Sequence, residues 1–142
     1  MAETMDVILI DSSVIALLLK GDSRAQSCAP RLWGRKPALS FITVAELFQW
    51  AAARNWDQSR IDQLGQYLQD YVILPFDVDL CRLWGEIRAR CRADGQPISP
   101  QDAWIAATAL RYHLPLLTHD PGAFKIVRGL ELIAVRYPIQ GD

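Results

Sequence analysis

Four carboxylates in this chain stand where they could act together. Asp11 follows the apolar run Val7-Ile8-Leu9-Ile10 and precedes Ser12-Ser13, while Asp120 follows Leu116-Leu117-Thr118-His119. Glu46 and Asp102 each come three residues after a hydroxyl, Thr43 and Ser99, that opens a helical pattern. Taken singly, each acid has an ordinary explanation. Asp11 suits a helix cap, Glu46 the far half of a capping box, Asp102 a first-turn acid favoured by the helix dipole, and Asp120 a turn before Pro121-Gly122. Their positions agree with one another, however. In a parallel α/β layout the carboxyl ends of strands and the starts of the following helices face one edge of the sheet. Four acids gathered there would repel, and some would take up protons unless a cation neutralised them. Ligation by oxygen alone, with no Cys or His cluster, points to Mg²⁺ or Mn²⁺ rather than zinc. Ser13 and Thr118 lie beside two of these acids as supporting hydroxyls.

The elements that must place these groups alternate along the chain. Strands are expected at 7–10, 38–41, 71–76, 114–118 and 131–135, with uniformly apolar stretches that suit strands buried on both faces. Helices are expected from Val14, over 23–33, from Thr43 to about Arg54, over 58–70, over 77–93 and from Ser99 to Tyr112. Pro37 is expected in a loop. Ser99-Pro100-Gln101-Asp102 is the best-marked helix start, with a hydroxyl N-cap, proline in the first turn and an acid three residues after the cap. Asp94-Gly95 marks a helix end. The alternation implies a three-layer α/β domain with a mostly parallel central sheet, without repeats, low-complexity segments or a domain linker. A single domain over 1–142 is expected, frayed at about 1–5 and 137–142.

Bulk properties exclude several classes. Of the 142 residues, 51% are hydrophobic and 22% charged, as in a soluble globular protein. No apolar run is long enough to span a membrane. The N-terminus carries two acids and no basic segment, unlike a secretion signal. Three cysteines without a CxxC pair fit a reducing cytoplasm better than a disulfide framework. The net charge of −1 does not itself indicate a polyanionic partner, although a metal-binding acid cluster would hide a basic rim in that total. Twelve of the 15 basic residues are Arg, whose planar fork suits phosphate and base edges.

Four blocks, in this order, resemble the PIN-domain ribonucleases, and within them the VapC toxins of bacterial toxin–antitoxin pairs. They are the first strand with Asp11-Ser12-Ser13, then Thr43-Val44-Ala45-Glu46-Leu47, then Ser99-Pro100-Gln101-Asp102-Ala103-Trp104-Ile105-Ala106-Ala107-Thr108-Ala109, and Leu117-Thr118-His119-Asp120 with Phe124. The likeness runs from Val7 to about Val135, and the third block is the most specific. It implies a three-layer α/β/α PIN-like fold and a Mg²⁺-dependent endoribonuclease of the cytoplasm, with Mn²⁺ as a possible substitute. It makes Asp11, Glu46, Asp102 and Asp120 the catalytic, metal-holding pocket, with Ser13 and Thr118 in support. It further implies an RNA substrate, a homodimer, and a small cognate antitoxin of the VapB type lying over the active-site groove, with DNA reached only through that antitoxin. Phe48-Gln49-Trp50, Gln101 and His119 depart from the commonest pattern, which bears on substrate choice and removes no metal ligand.

Other readings fit less well. A PIN-like protein acting chiefly in a DNA-bound regulatory complex, with little cleavage of its own, is the nearest alternative. A phosphoacceptor receiver domain needs an early acidic pair and a lysine after a late strand, whereas Asp6 and Asp11 straddle the first strand and Lys125 lies in a turn. An Asp-x-Asp phosphatase fails at Ser13, and there is neither a Walker loop nor a GxGxxG. His113 and His119 read as packing or solvated residues, which disfavours a metal-free histidine nuclease. Of five tryptophans, Trp84 and Trp104 are expected to pack inward, while Trp33, Trp50 and Trp56 near helix ends suggest a partner surface.

Overall fold

The structure, a computed structural model, describes residues 6–135; the fraying expected at both ends lies outside them. The first apolar run forms β1 (Asp6–Ile10), in which Ile8, Leu9 and Ile10 are wholly buried. Successive side chains of a strand point to opposite faces. Leu9 accordingly joins one core cluster while Ile8 and Ile10 join the other. Alternation recurs in β2 (Arg35–Ser40), where Ala38 and Leu39 part company, and in β4 (Leu116–Thr118), where Leu116 and Leu117 do. Both faces of the sheet are therefore covered, which is why these strands read as apolar throughout. Each buried Leu or Ile contributes about 1.5–3 kcal/mol of transfer free energy.

With β3 (Val72–Leu74) and β5 (Leu132–Ala134), the sheet has five strands in the order β3-β2-β1-β4-β5. Every pairing is parallel. The helices are α1 (Ser12–Lys20), α2 (Ala29–Leu32), α3 (Phe41–Ala53), α4 (Gln58–Leu68), α5 (Val78–Ala93) and α6 (Pro100–Tyr112). Buried residues of α1, α3 and α4 pack with Ile8 and Ile10, and those of α5 and α6 pack with Leu9. The result is the expected three-layer α/β/α arrangement. No helix among the described residues is long and apolar enough to cross a membrane.

Several boundaries differ from expectation, each for a local reason. Pro37 lies inside β2, opposite Ile8, instead of in a loop. The edge strand β3 joins β2 only from Ala38 onward, so Pro37 has no strand to bond on that side. The segment 23–33 splits into a 3₁₀ stretch, Ser23–Cys28, and the short α2, with Pro30 in the first turn. α1 starts at Ser12, two residues before Val14. α3 starts at Phe41, because Ser40 and not Thr43 is its cap: the Ser40 hydroxyl accepts the Ile42 N–H at 3.3 Å. α6 begins as read, with Ser99 accepting the Asp102 N–H at 3.1 Å. His113 ends it in the left-handed conformation (φ 56°), its N–H closing on the helix's last carbonyls, a capping role far from any chemistry.

Candidate active site

From β1 the chain crosses to β2 on one side, while β4 lies on the other side. The crevice beyond the carboxyl ends of β1 and β4 is therefore the point where strand order reverses, the usual ligand position in open α/β sheets. Asp11 follows β1 and Asp120 follows β4 by two residues. α3 starts directly from β2 and brings Glu46, and α6 brings Asp102. The four acids line a single open cavity of about 390 Å³, together with Ser12, Ser13, His119 and Phe124.

Asp11 is held most firmly. It occupies the N-cap position of α1 (ψ 149°), yet its side chain caps nothing. One carboxylate oxygen, Oδ2, accepts the Ser13 and Thr118 hydroxyls, both at 2.8 Å. The other takes no hydrogen bond among the described residues and is left to the cavity. Thr118 is fully buried behind Asp11 and serves both acids from strands: its hydroxyl donates to Asp11 and accepts the Asp120 backbone N–H at 3.0 Å. Ser13 and Thr118, expected beside these acids, thus both donate to Asp11.

Glu46 differs from expectation. With Ser40 as the cap, it sits in the second turn of α3 and forms no capping box with Thr43. Ser12 holds it instead: the Ser12 hydroxyl donates to Glu46 Oε1 at 3.4 Å and pairs with the Thr43 hydroxyl at 2.8 Å. Ser12 went unnoticed in the sequence beside Ser13, although a hydroxyl immediately after a strand-end acid faces the same edge. Ser40 and Thr108 were also missed. Thr108 donates to the Trp104 carbonyl at 2.7 Å, so Ser40 donates to Thr108 at 2.9 Å and ties the end of β2 to α6. That buried link sets the spacing between the helices carrying Glu46 and Asp102.

Burial works against the ionised forms of Glu46 and Asp102. Desolvation pushes the Glu46 carboxyl up, against the Ser12 hydrogen bond, and the Asp11 and Asp102 charges push it further. Asp102 is likewise raised, chiefly by desolvation, with the charges of Asp11 and Asp120 adding to it against the Ser99 bond. The Arg–Asp ion pairs of the described residues lie elsewhere, at Asp22, Asp79 and Asp77. Among the described residues, therefore, no arginine or lysine pairs with these acids at bonding distance. Among the described residues no three His, Cys, Asp or Glu side chains are gathered tightly enough to hold an ion as they stand. The donor set is nonetheless of the right kind for a hard cation, and a charge of that sign would relieve the repulsion that raises Glu46 and Asp102.

His119 is half-buried at the cavity wall. Trp84 and Trp104 pack inward as expected, stacked with centroids 4.8 Å apart. Trp33 is 78% exposed, while Trp50 and Trp56 meet edge to face at 5.3 Å.

Comparison with known proteins agrees with this fold. A VapC ribonuclease, Y4jK, of Sinorhizobium fredii is 31% identical over 137 residues, covering 89% of this chain and 96% of its own. Toxin FitB of Neisseria gonorrhoeae is 32% identical over 126 residues, covering 83% and 91%. The solved structure of VapBC-1 from nontypeable Haemophilus influenzae superimposes with a TM-score of 0.78 at 25% identity, covering 90% of this chain and 97% of that one. The PIN domain family model matches residues 8–130, the span from β1 through the loop after Phe124 that carries all four acids, and the chain belongs to the PIN-domain family.

Proposed function

We propose that this protein is a metal-dependent endoribonuclease, the toxin of a VapBC-type toxin–antitoxin pair. The observation that carries the reading is the convergence of Asp11, Glu46, Asp102 and Asp120 on one cavity at the switch point of a parallel sheet. The ribonuclease and toxin names of the relatives supply the substrate class and biological setting. Asp11, Glu46, Asp102 and Asp120 would hold Mg²⁺, with Mn²⁺ as a substitute; when bound, the cation supplies charge neutralisation and Lewis-acid polarisation of the phosphodiester. Ser13 and Thr118 keep Asp11 in one rotamer, so its free oxygen is preorganised at no further entropic cost. Ser12 does the same for Glu46. A carboxylate of the set left free of the cation orients the attacking water and accepts its proton.

The protein partner follows from the same site. A cognate antitoxin that lays an arginine over the cavity would pair with acids that have no arginine partner among the described residues, a charge-assisted contact suited to inhibition. Two copies of the chain would form the working toxin, which sedimentation would show as a dimer. The decisive experiment incubates the purified protein with structured RNA in Mg²⁺ and in chelator. Cleavage in Mg²⁺ alone, lost in folded Asp11→Asn and Asp120→Asn variants, is expected. Cleavage that survives chelator or either substitution would overturn the reading.

A further inference from the structure

A second cavity, of about 380 Å³, opens beside the acidic one and shares Glu46 with it; its other walls are Gln49, Trp50, Ala53, Arg54 and Gln101. None of these residues belongs to the proposed hydrolytic machinery except Glu46. The chemistry changes sharply across that shared wall. On one side stand four carboxylates, and on the other the Arg54 guanidinium lies over the Trp50 indole, whose ring is also met by Lys20 from outside the cavity lining. The Arg54 guanidinium carbon lies 4.3 Å from the Trp50 ring centroid and the Lys20 ammonium 5.3 Å from it. Trp56 meets Trp50 edge to face, which fixes the ring that seats both cations. Among the described residues neither cation has a carboxylate in salt-bridge reach.

Arg54 is exposed, and stacking on the indole holds its guanidinium in one place at the cavity wall. An arginine held against an indole keeps its N–H donors for a phosphate. Gln49 and Gln101 are exposed amides beside it, each able to donate to and accept from a base or a 2′-hydroxyl.

We propose that this cavity is a substrate subsite, in which the nucleotide adjoining the scissile bond lies with its phosphate against Arg54. Trp50 is the positioning residue, acting through the Arg54 guanidinium it seats. The continuity of the two cavities through Glu46 and the contrast between Arg54 and the acids commit the occupant to single-stranded RNA running from Arg54 to the acids. The inference rests on the hydrolytic reading above, and it names where the flanking nucleotide binds.

The test compares the wild-type protein with R54A, W50L and, as a charge-matched control remote from the cavity, R82A. Cleavage is measured on a dinucleotide and on a longer oligoribonucleotide in Mg²⁺. Binding of a fluorescent, 2′-O-methylated oligomer is followed by anisotropy across a salt series. R54A is expected to raise KM on the longer RNA about tenfold with kcat little changed, the loss of one charge-assisted phosphate contact. It should also lower the salt slope of binding by about 0.7. W50L should move both quantities the same way with its fold intact by circular dichroism. R82A and dinucleotide cleavage by every variant should stay at the wild-type level. If R54A and W50L bind and cleave the longer RNA as wild type does, the proposal is overturned, and weakened binding of a protein partner in those variants would assign the cavity to that partner. A wild-type protein that fails to cleave at all rejects the hydrolytic reading, while the anisotropy series still decides whether Arg54 touches RNA.

Discussion

Replacing Thr118 with valine keeps the shape of a fully buried side chain and removes only its hydroxyl. That hydroxyl makes two hydrogen bonds, donating to Asp11 Oδ2 at 2.8 Å and accepting from the Asp120 N–H at 3.0 Å. A hydrogen bond to a charged group contributes about 1.5–3 kcal/mol. Asp11 keeps the Ser13 donor and Asp120 is exposed to water, so the net cost falls near the lower end, about 2 kcal/mol. In a chain of this length that lowers Tm by roughly 6 °C. Activity should fall much further than stability. Both strand-end acids lose their common anchor, and a shift of about 1 Å in a catalytic group can cost a hundredfold in rate. The assay pairs thermal melting with RNA cleavage in Mg²⁺ for T118V, T118S and S13A. T118S restores the hydroxyl while leaving a methyl-sized gap, so it should melt low yet cleave near the wild-type rate. S13A and T118V remove donors to the same oxygen, so their double variant should depart from additivity. T118V with wild-type cleavage, or T118S as inactive as T118V, would refute the claim that the hydroxyl, rather than packing, sets the acids.

Other outcomes follow from the same geometry. Glu46 and Asp102 titrate above their ordinary values, so the folded state holds their protons more tightly than the unfolded chain does. The stabilisation this brings is complete below the ordinary carboxylate range and is lost as pH rises through the raised values. Metal-free protein should therefore melt lower at pH 7 than near pH 5 from this source, and millimolar Mg²⁺ should reverse the difference in a thermal scan. D102N should raise the metal-free Tm at pH 7 by roughly 2–4 °C, equivalent to at most about 1 kcal/mol for these half-exposed groups, while abolishing cleavage. S40A removes the α3 cap and the buried donor to Thr108, and should cost about 2 kcal/mol in urea denaturation. Arg111 grips Asp77, the cap of α5, and holds its carboxyl below the usual range. R111M should raise the Asp77 pKa toward the ordinary value in an NMR titration.

The apolar runs at 7–10, 38–39 and 116–117 and the turn residues between them were enough to define an α/β sheet, because burial on both faces leaves a composition no half-exposed strand shares. The Ser99–Asp102 start was equally plain, since an N-cap is a local contact between residues three apart. The four acids could be placed at one edge by topology alone, because strand ends and helix starts of a parallel sheet face the same way. Their coupling could not. Whether Ser40 or Thr43 caps α3 depends on where β2 stops, and β2 is extended and aligned by its pairing with β1. Ser12 reaches Glu46 across 34 residues and Thr118 reaches Asp11 across 107, so neither bond leaves a spacing to read. The upward pKa shifts of Glu46 and Asp102 are tertiary for the same reason, since they arise from desolvation and from proximity to other acids. Residue types and order determined the fold class and the membership of the acidic set; only the packed structure decided which hydroxyl holds which carboxylate, and that Trp50 and Arg54 stand beside them.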